Sequence, residues 1–373
     1  MKILQQDNIG SHYRTAIYQL MDKELGCDFC FGDKWDDIKK MDYALLSHKV
    51  IEVQNIKIGK GFYYQEGILN LLKADYDAYI LIGETRCLST WWICTLARLF
   101  YPRKKVYFWT HGWYGKESRL EKWLKKMFLR LPNGGCFLYG NHARELMIKE
   151  GFNPNKLYVI HNSLNYDAQL PIRQSLQSTP VFQEHFGNNN KNIIFIGRLT
   201  KVKRFDLLID AVAALKERGE QVNVTFIGDG VERQNMEAMV EKKGIKEQVW
   251  LYGACYDEKT NAEMIYNADL CVSPGNIGLT AMHVLMFGCP AITNDGFSHQ
   301  MPEFEAIQEG KTGSFFKAGD SSSLADSISR WFTIHGSDRE IIRQECYQEI
   351  DKGWNPHNQI EILKSVLLHE YAK

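Results

Sequence analysis

The sequence predicts an α/β protein built from two domains, each with a doubly wound parallel sheet. Apolar runs of strand length alternate with segments of helical apolar spacing along most of the 373 residues. A polar stretch at residues 169–190, rich in Gln, Ser, Pro and Asn, interrupts this alternation and is predicted to link the domains. Buried parallel strands are nearly continuous apolar runs, and their ligands bind at the carboxyl ends of the strands.

The N-terminal domain is predicted over residues 1–168, where the alternation is looser but still recognisable. Strands are expected at Lys2–Gln6, Ala78–Gly83, Lys105–Thr110, Gly135–Tyr139 and Leu157–His161. Helices are expected at Tyr13–Lys23, Gly67–Lys73, Trp91–Phe100, Arg119–Leu131 and Ala143–Glu150.

The C-terminal domain is predicted over residues 191–336, and residues 337–373 are predicted to be helical. A first strand begins near Asn192 and ends at Gly197. Further strands are expected at Val222–Gly228, Gln248–Gly253, Asp269–Pro274 and Cys289–Asn294. The intervening helices are expected at Asp206–Arg218, Glu232–Lys243, Lys259–Asn267 and Leu279–Phe287.

Glycines lie at the carboxyl ends of four of these strands, at Gly197, Gly228, Gly253 and Gly275. A glycine there lets the backbone approach a ligand closely. Arg198 and Lys203 follow the first strand, so a planar guanidinium fork and a point charge are available for a diphosphate, which can then be neutralised without a metal. The alternative interpretation is a solvated loop with ordinary surface cations.

The order of these motifs resembles the donor-binding domain of glycosyltransferase family 4. The motifs are Gly197-Arg198 with Lys203, Gly228-Asp229-Gly230, Tyr252-Gly253, the loop at residues 273–278 and Gly288-Cys289-Pro290. The resemblance implies the GT-B fold, with two Rossmann-like domains facing a cleft and with the C-terminal helices at residues 337–373 crossing back to the N-terminal domain. It also implies retaining transfer from a nucleotide-sugar donor with no cofactor and no metal. UDP is the nucleotide that the resemblance favours, and GDP is the next.

The resemblance also implies which residues contact the donor. Arg198 and Lys203 are expected to bind the diphosphate, and the loop before the helix at Leu279–Phe287 is expected to face the sugar and phosphates, because helix N-termini attract anions. The expected donor-binding residues are Gly197, Arg198, Lys203, Gly228, Asp229, Tyr252, Gly253, Gly275, Asn276, Ile277, Gly278, Leu279 and His283.

The chain departs from the family at one point. Members of the family usually carry two glutamates eight positions apart, and alignment on Gly288-Cys289-Pro290 places Gly275 and His283 there instead. The second glutamate generally holds the nucleotide ribose, a role that His283 can fill by a hydrogen bond, whereas Gly275 offers only backbone. The alternative for His283 is a plain structural helix residue.

His111 is the strongest candidate near the acceptor, because it follows the strand Lys105–Thr110 and is therefore predicted to project toward the interdomain cleft. By resemblance it contacts the reacting region, through orientation, charge stabilisation or hydrogen bonding, and it joins Arg198 and Lys203 as an expected catalytic residue. The alternative is a capped loop histidine. The expected acceptor-binding residues are Gly10, Ser11, His12, Arg14, Trp113 and Tyr114.

Two of these acceptor assignments have structural alternatives. Trp113 and Tyr114 are predicted to stack on an acceptor sugar, but they would equally pack in a hinge. Ser11 is equally suited to cap the first helix.

Charge and composition narrow the classes of partner that the protein can bind. The net charge is zero, but residues 1–168 hold 24 Lys and Arg against 18 Asp and Glu, so that half carries +6 and the remainder −6. Arg119–Leu131 interleaves Trp, Leu, Met and Phe with five cations, which predicts either docking on an anionic bilayer or a core helix with a solvated face. A neutral chain without a binding motif argues against nucleic acid.

Several features favour a reduced, cytoplasmic setting. Nine scattered cysteines are typical of reduced thiols, and Cys27 and Cys30 have redox or zinc spacing without a second pair. Met1 opens directly into a strand candidate, so export is not expected. The protein is therefore expected in the cytoplasm or on the inner face of the cell membrane.

Three function classes remain open. The leading one is a retaining glycosyltransferase acting on a glycan, expected to be lipid-linked, in the assembly of a bacterial-type surface polysaccharide. The others are a sugar-nucleotide epimerase or hydrolase of GT-B type and a non-catalytic nucleotide-sugar-binding protein. A metal-dependent GT-A enzyme is disfavoured, because its Asp-x-Asp motif normally follows a strand, whereas Asp75-Tyr76-Asp77 precedes one.

Overall fold

A computed structural model describes residues 1–36, 38–59 and 61–371 and divides the chain into two compact units. The first unit contains Met1–Tyr166 together with the chain from Asn355 onward, and the second contains Asp167–Trp354. Each unit has a parallel sheet with helices, which confirms the predicted α/β class with two Rossmann-like domains.

The strands alternate with helices along both units. The strands of the first unit are β1 (Ile3–Asp7), β2 (Asp28–Gly32), β3 (Val50–Val53), β4 (Asn55–Ile58), β5 (Phe62–Gln65), β6 (Ala78–Ile82), β7 (Lys105–Thr110), β8 (Gly135–Leu138) and β9 (Leu157–Val159). Those of the second are β10 (Lys191–Ile196), β11 (Val222–Ile227), β12 (Val249–Gly253), β13 (Leu270–Ser273), β14 (Ala291–Asn294) and β15 (Gly313–Phe316).

The α-helices follow in chain order. They are α1 (Thr15–Leu25), α2 (Leu88–Phe100), α3 (Arg119–Leu129), α4 (Asn141–Lys149), α5 (Tyr166–Ser175), α6 (Val181–Phe186), α7 (Phe205–Glu217), α8 (Arg233–Lys242), α9 (Glu258–Asn267), α10 (Leu279–Met286), α11 (Ser321–His335), α12 (Arg339–Gly353) and α13 (Pro356–Tyr371).

Both sheets are fully parallel. In the first unit the strand order is β3-β2-β1-β6-β7-β8-β9, and in the second it is β12-β11-β10-β13-β14-β15. The chain therefore reverses its direction of travel across the sheet between β1 and β6, and again between β10 and β13. In open α/β sheets ligands bind in the crevice at such a switch point, beyond the carboxyl ends of the strands.

Four strands of the first unit are absent from the sequence-based prediction. The strands β2 and β3 extend the sheet beyond β1, and β4 and β5 form a separate antiparallel pair. These strands have only four or five residues each, too short to give a clear periodic pattern. The predicted helix at Gly67–Lys73 is a 3-10 helix, Ile68–Lys73.

The segment predicted as a linker, residues 169–190, contains most of α5 and all of α6 and belongs to the second unit. Polar contacts hold it there. Arg173 forms a bidentate ion pair with Asp351, and the Thr179 side chain hydrogen-bonds Glu263. Because these contacts replace an apolar stripe, the helices give little periodic signal in the sequence.

The C-terminal residues are divided between the units. The helix α12 belongs to the second unit, whereas α13 belongs to the first, where Ile360, Leu363 and Leu367 join the core formed with α1 and the sheet. Within the described residues, no helix is long and apolar enough to cross a bilayer. The nine cysteines are free thiols, and Cys27 and Cys30 are buried.

Candidate active site

A cavity of about 450 Å³ opens at the switch point of the first unit. Its wall combines the residues that follow three neighbouring strands: Asp7 at the end of β1, Glu84 after β6 and His111 after β7. Hydrogen bonds join the ends of β6 and β7. The Thr110 hydroxyl donates to the Gly83 carbonyl, and the Gly83 amide donates to the carbonyl of Trp109 in β7. This is the position at which a doubly wound sheet presents a ligand site.

Arg14 forms the floor of this cavity together with an acidic and an aromatic partner. Its Nη1 donates to Asp7 Oδ2 at 2.6 Å, and its Nη2 donates to the hydroxyl of Tyr139. The guanidinium also lies 5.4 Å from the centre of the Trp109 ring. A buried cation that is paired, hydrogen-bonded and stacked in this way is held in one geometry. Arg14 is therefore a fixed part of the wall, with its charge balanced by Asp7.

His111 lines the cavity with its ring 4.7 Å from that of Tyr139. Burial, reinforced by the nearby cations Arg14 and Lys125, lowers the pKa of His111 to about 4. The imidazole is therefore neutral at pH 7. Its Nδ1 atom has no hydrogen-bond partner in the described part of the chain. Of the three roles that the sequence left open, the neutral ring favours hydrogen bonding or orientation over charge stabilisation.

The predicted acceptor residues are only partly brought together. Ser11, Arg14 and Tyr114 line the cavity, but His12 is exposed and contacts the Lys39 carbonyl instead. Gly10 is buried outside the lining, where an added Cβ would lie 2.7 Å from the Tyr43 ring. Its lack of a side chain therefore serves packing.

The prediction that Trp113 stacks on an acceptor sugar is wrong. Its side chain is 2% exposed and packs in the core of the first unit beside Phe152. Burial of this large apolar ring is favourable, and Gly112 before it adopts a positive φ that few other residues take. Tyr114, next along the chain, is the aromatic ring that reaches the cavity.

Several residues of the cavity wall are absent from the sequence-based prediction. Glu84 is partly buried, burial raises the pKa of its carboxyl, and it accepts a hydrogen bond from the Tyr63 hydroxyl at 3.3 Å. Both Asp7 and Glu84 could have been found from their places at strand ends. No local signal marks the remaining ones, which come from α3, β7 and the end of β8: Lys125, Trp109 and Tyr139.

In the second unit, the ends of three adjacent strands approach one another through their glycines. The amide of Gly197 donates to Ile227 O, and the amide of Gly228 donates to Gly253 O. A Cβ at Gly228 would lie 1.9 Å from the carbonyl oxygen of Gly197, so no other residue fits. We predict from the sequence that these glycines let the backbone approach a ligand. In the structure they let the end of one strand approach the end of the next.

Lys203 lies beside the loop at residues 274–278, next to the N-terminus of α10. Its ammonium group donates to the Asn276 carbonyl at 2.7 Å, the Asn276 side-chain oxygen at 3.2 Å and the Ile277 carbonyl at 3.3 Å. Burial, together with the like charge of Arg198, lowers the pKa of Lys203 to about 8. Lys203 is therefore a tether of this loop as well as a cation.

Arg198 is exposed and makes no ion pair among the described residues. The first turn of α10 is attached to the same strand end, since Thr280 Oγ1 donates to Ile196 O at 3.0 Å. Two cations and a helix N-terminus thus converge after β10 and β13. That combination attracts a polyanion by charge and by free backbone amides.

Two side chains that are absent from the sequence-based prediction hold the loop at residues 274–278 by hydrogen bonds. Gln300 accepts from the Ile277 amide and donates to the Gly275 carbonyl, and Asn294 donates to the Pro274 and Gly275 carbonyls. Gln300 is 3% exposed. Because these bonds satisfy the loop's inward groups, its backbone is held in one shape without a carboxylate at position 275.

Position 275 has no space for a side chain. The Gly275 amide donates to Lys203 O at 2.9 Å, and a Cβ there would lie 1.9 Å from Val202 O. A glutamate at this position would therefore clash with the protein backbone.

His283, on α10, contacts a carboxylate from another helix. Its Nε2 lies 3.1 Å from Glu258 Oε1, and Gln169 donates to the same oxygen at 2.7 Å. Burial opposes ionisation of Glu258, but the bonds from His283 and Gln169 keep the pKa of its carboxyl below its ordinary value. A carboxylate therefore lies beside position 283 although the chain lacks the glutamate that the family usually has there. Contact of His283 with a ribose stays a prediction.

The remaining predicted donor residues border the same edge of the sheet. Asp229 caps the turn after β11 by accepting from the Gly230 amide, and Tyr252 is partly exposed near the end of β12. Ile277 and Leu279 flank Gly278, which precedes α10. Their contacts with a donor stay predictions. Across residues 1–36, 38–59 and 61–371, no three His, Cys, Asp or Glu side chains are grouped to hold a metal ion.

Comparison with known proteins finds a family match within the second unit. Residues 179–348 match the family described as Glycosyl transferases group 1. An uncharacterized 41.2 kDa protein in the cps region of Klebsiella pneumoniae is 25% identical over 66% of this chain and 67% of its own length. The putative glycosyltransferase EpsD of Bacillus subtilis is 29% identical over 45% of this chain, and the match covers 43% of that relative.

The fold is that of solved GT-B structures. The Anabaena protein Alr3699/HepE in complex with UDP superposes with a TM-score of 0.71 over 99% of both chains at 13% identity. The GT-B class that the motifs implied is therefore confirmed for the fold.

Proposed function

We propose that this protein, a GT-B protein that carries a glycosyl transferases group 1 domain, is a retaining glycosyltransferase of family 4 type. It transfers a sugar from a nucleotide-sugar donor to a glycan. The donor binds to the second unit, with UDP favoured and GDP next, and the acceptor binds in the cavity of the first unit. The observation that carries the proposal is the convergence of Arg198, Lys203 and the α10 N-terminus within the family match.

The chemistry assigned to this group is electrostatic. The departing diphosphate gains negative charge in the transition state, and Arg198 and Lys203 stabilise that charge without a metal. To reach a phosphate oxygen, Lys203 exchanges at least one of its bonds to Asn276 or Ile277. Binding of the ligand is then expected to change the shape of the loop, because the ammonium group that holds the loop also binds the phosphate.

The acceptor is proposed to be a lipid-linked glycan used in the assembly of a bacterial-type surface polysaccharide, at the inner face of the cell membrane. Support comes from the relative in a cps region and from α3, whose outer face carries exposed apolar side chains. In the cavity, neutral His111 and the carboxyl of Glu84 offer hydrogen bonds to sugar hydroxyls, and Tyr114 offers a ring face.

Substitution of the two cations tests the assignment. Arg198→Ala and Lys203→Ala are each expected to lower kcat/KM by about 10²–10³, since each removes charge stabilisation from the leaving group. Lys201→Ala is the matched control, because Lys201 is an exposed cation of the same short 3-10 helix. Turnover near the wild-type rate in either site variant would show that the assignment of that residue is wrong.

The products distinguish the alternative functions. Incubation with a radiolabelled UDP-sugar and a lipid-linked glycan gives a labelled glycan for a transferase, an altered nucleotide sugar for an epimerase or hydrolase, and only binding for a non-catalytic protein. The configuration of the new linkage, read by NMR, tests retention. Activity that persists in EDTA supports the metal-free mechanism, and loss of activity that a divalent ion restores argues against it.

A further inference from the structure

Helix α3 exposes an apolar stripe that the rest of the first unit does not cover. Leu120, Trp123 and Met127 follow one another at helical spacing and are 67%, 58% and 40% exposed. The opposite face contains Phe128, which is fully buried against the sheet. An amphipathic helix of a globular protein normally turns its large apolar residues inward, so this arrangement is unusual.

Helix α2 continues the same apolar surface. Trp92 and Leu99 lie two turns apart on its outer face and are 60% and 67% exposed. The neighbouring residue Trp91 packs on Phe128 of α3 with ring centres 4.8 Å apart, so the two helices are in contact. Helical spacing places both Trp92 and Leu99 on the outward side of α2.

The other side of α3 faces α4, because Lys122 and Lys126 both reach Glu150 at the end of that helix. The stripe of Leu120, Trp123 and Met127 points away from these lysines and toward α2. These three residues and the outward-facing Trp92 and Leu99 of the neighbouring helix α2 are together called the two-helix surface.

The charges of α3 differ from the sequence-based expectation. Lys125 lies on the inner side and pairs with Glu117 at 2.7 Å, and Lys122 and Lys126 share Glu150. Three of the five cations counted for docking are therefore paired within the protein. An exposed ion pair is worth only about 0–1 kcal/mol and can be exchanged, but paired lysines attract a bilayer less than free ones.

The rim of the two-helix surface is nevertheless positive. Arg98, Arg103 and Arg119 make no ion pair among the described residues, and α2 contains no acidic residue. The acidic residue of α3, Glu121, is engaged in the capping box with Ser118. Tryptophans on an apolar patch with a rim of arginines match the interfacial zone of an anionic bilayer, where the indole rings lie at headgroup level.

We propose that the two-helix surface inserts into the interfacial layer of an anionic bilayer, and that its apolar side chains contribute more to docking than the lysines of α3 do. This deepens the proposed function by naming the membrane contact that would bring a lipid-linked acceptor to the protein. The contribution of α2 distinguishes it from docking through the basic residues of α3. Binding to vesicles does not require transfer, so the two proposals can fail separately.

Vesicle partitioning of the intact chain tests the proposal, with phosphatidylglycerol–phosphatidylcholine vesicles as the probe. Leu99→Ser is expected to weaken binding about tenfold, and Trp92→Ser by at least as much. Ile341→Ser is the matched control, since Ile341 on α12 is 65% exposed in the second unit. Lys122→Gln with Lys126→Gln is expected to change binding less than Leu99→Ser does.

Depth measurements provide a second readout. Lipids brominated near the headgroup are expected to quench the fluorescence of Trp92 and Trp123, and quenching should largely disappear in the Trp92→Phe, Trp123→Phe double variant. Part of the binding should persist in about 1 M salt, where the screening length falls to about 3 Å. Three results would each overturn the proposal: equal binding by Leu99→Ser and wild type, complete loss of binding in high salt, or a dimer that depends on Leu99 without vesicle binding.

Discussion

Lys203 combines two functions in one ammonium group, because it tethers the loop at residues 274–278 and is assigned to the donor diphosphate. The protonated form is required for both. Since burial lowers the pKa of Lys203 to about 8, the group is mostly charged at pH 7 and loses its charge as the pH rises through that value. The affinity for a nucleoside diphosphate is therefore linked to pH in a range where few other side chains titrate.

We predict that the dissociation constant of UDP rises between pH 7 and about pH 8.5, approaching about tenfold per pH unit above the pKa of Lys203. The second phosphate ionisation lies near pH 6, and the uracil N3–H ionises only at a pH above this range, so the charge of the ligand changes little within it. Calorimetric titration across the range measures the effect. Lys203→Met should bind more weakly but with a flat profile, and a wild-type profile that is equally flat would contradict the prediction.

Gly275 is required by the backbone around it. A Cβ at this position would overlap Val202 O and the Lys203 backbone, which cannot move without breaking the Gly275–Lys203 hydrogen bond. We predict that Gly275→Ala lowers the free energy of unfolding by about 1–3 kcal/mol, the usual cost of overpacking. Urea denaturation measures it. Gly310→Ala is the comparison, because an added Cβ meets no atom there although φ is +73°; an equal or smaller loss for Gly275→Ala would contradict the steric account.

At the scale of elements, α9 and α10 are joined by the contact between Glu258 and His283, and α5 joins them through Gln169. Two consecutive helices and a third that is distant in sequence therefore fix one imidazole. The Glu258 carboxylate thus orients the His283 ring and determines which ring nitrogen carries the proton.

We predict that His283→Ala weakens donor binding more than it slows turnover, because the ring is assigned to the nucleotide ribose. Glu258→Gln should act in the same direction by a smaller factor, since it leaves the ring in place but removes the charge that orients it. The measurement is the dissociation constant of UDP beside kcat at saturating donor. A bound-nucleotide structure with His283 facing away from the ligand would exclude the role.

At the scale of the whole molecule, helix α13 completes the core of the first unit. Leu363 and Leu367 of α13 are buried against α1 and the sheet, although the whole second unit separates them in sequence from that sheet. The first unit is therefore not a continuous segment, and its stability depends on residues that follow the second unit in the sequence.

We predict that Leu363→Ala lowers the stability of the first unit by about 2–5 kcal/mol, the usual cost of a large-to-small change in a core. Leu368→Ala on the same helix is the control, because Leu368 is 50% exposed, and it should cost much less. Hydrogen exchange resolves the effect by region. Faster exchange is expected in β1 and β6, with β10 and β13 unchanged, and equal acceleration in both sheets would contradict the assignment of α13.

The sequence by itself determined the fold class and five of the six strands of the second sheet. The strands β10, β11, β13 and β14 are largely buried, so their apolar runs are nearly continuous, and helices of regular spacing separate the strands. The glycines Gly197, Gly228 and Gly253 could be placed because each lies at the end of one of these predicted strands. Elements with weak local signals were missed, because the short strands β2 and β3 and the polar helix α5 are stabilised by contacts with distant residues.

Only the tertiary structure decided which side chains meet. It paired Arg14 with Asp7, turned Trp113 into the core and left Tyr114 on the cavity, and it placed Glu258 beside His283. It also showed that lysines of α3 are paired while its apolar side chains are exposed. Periodicity in a sequence shows which face of a helix or strand is apolar. The partner of that face comes from elements far apart in the chain, and the two meet only when each unit has folded.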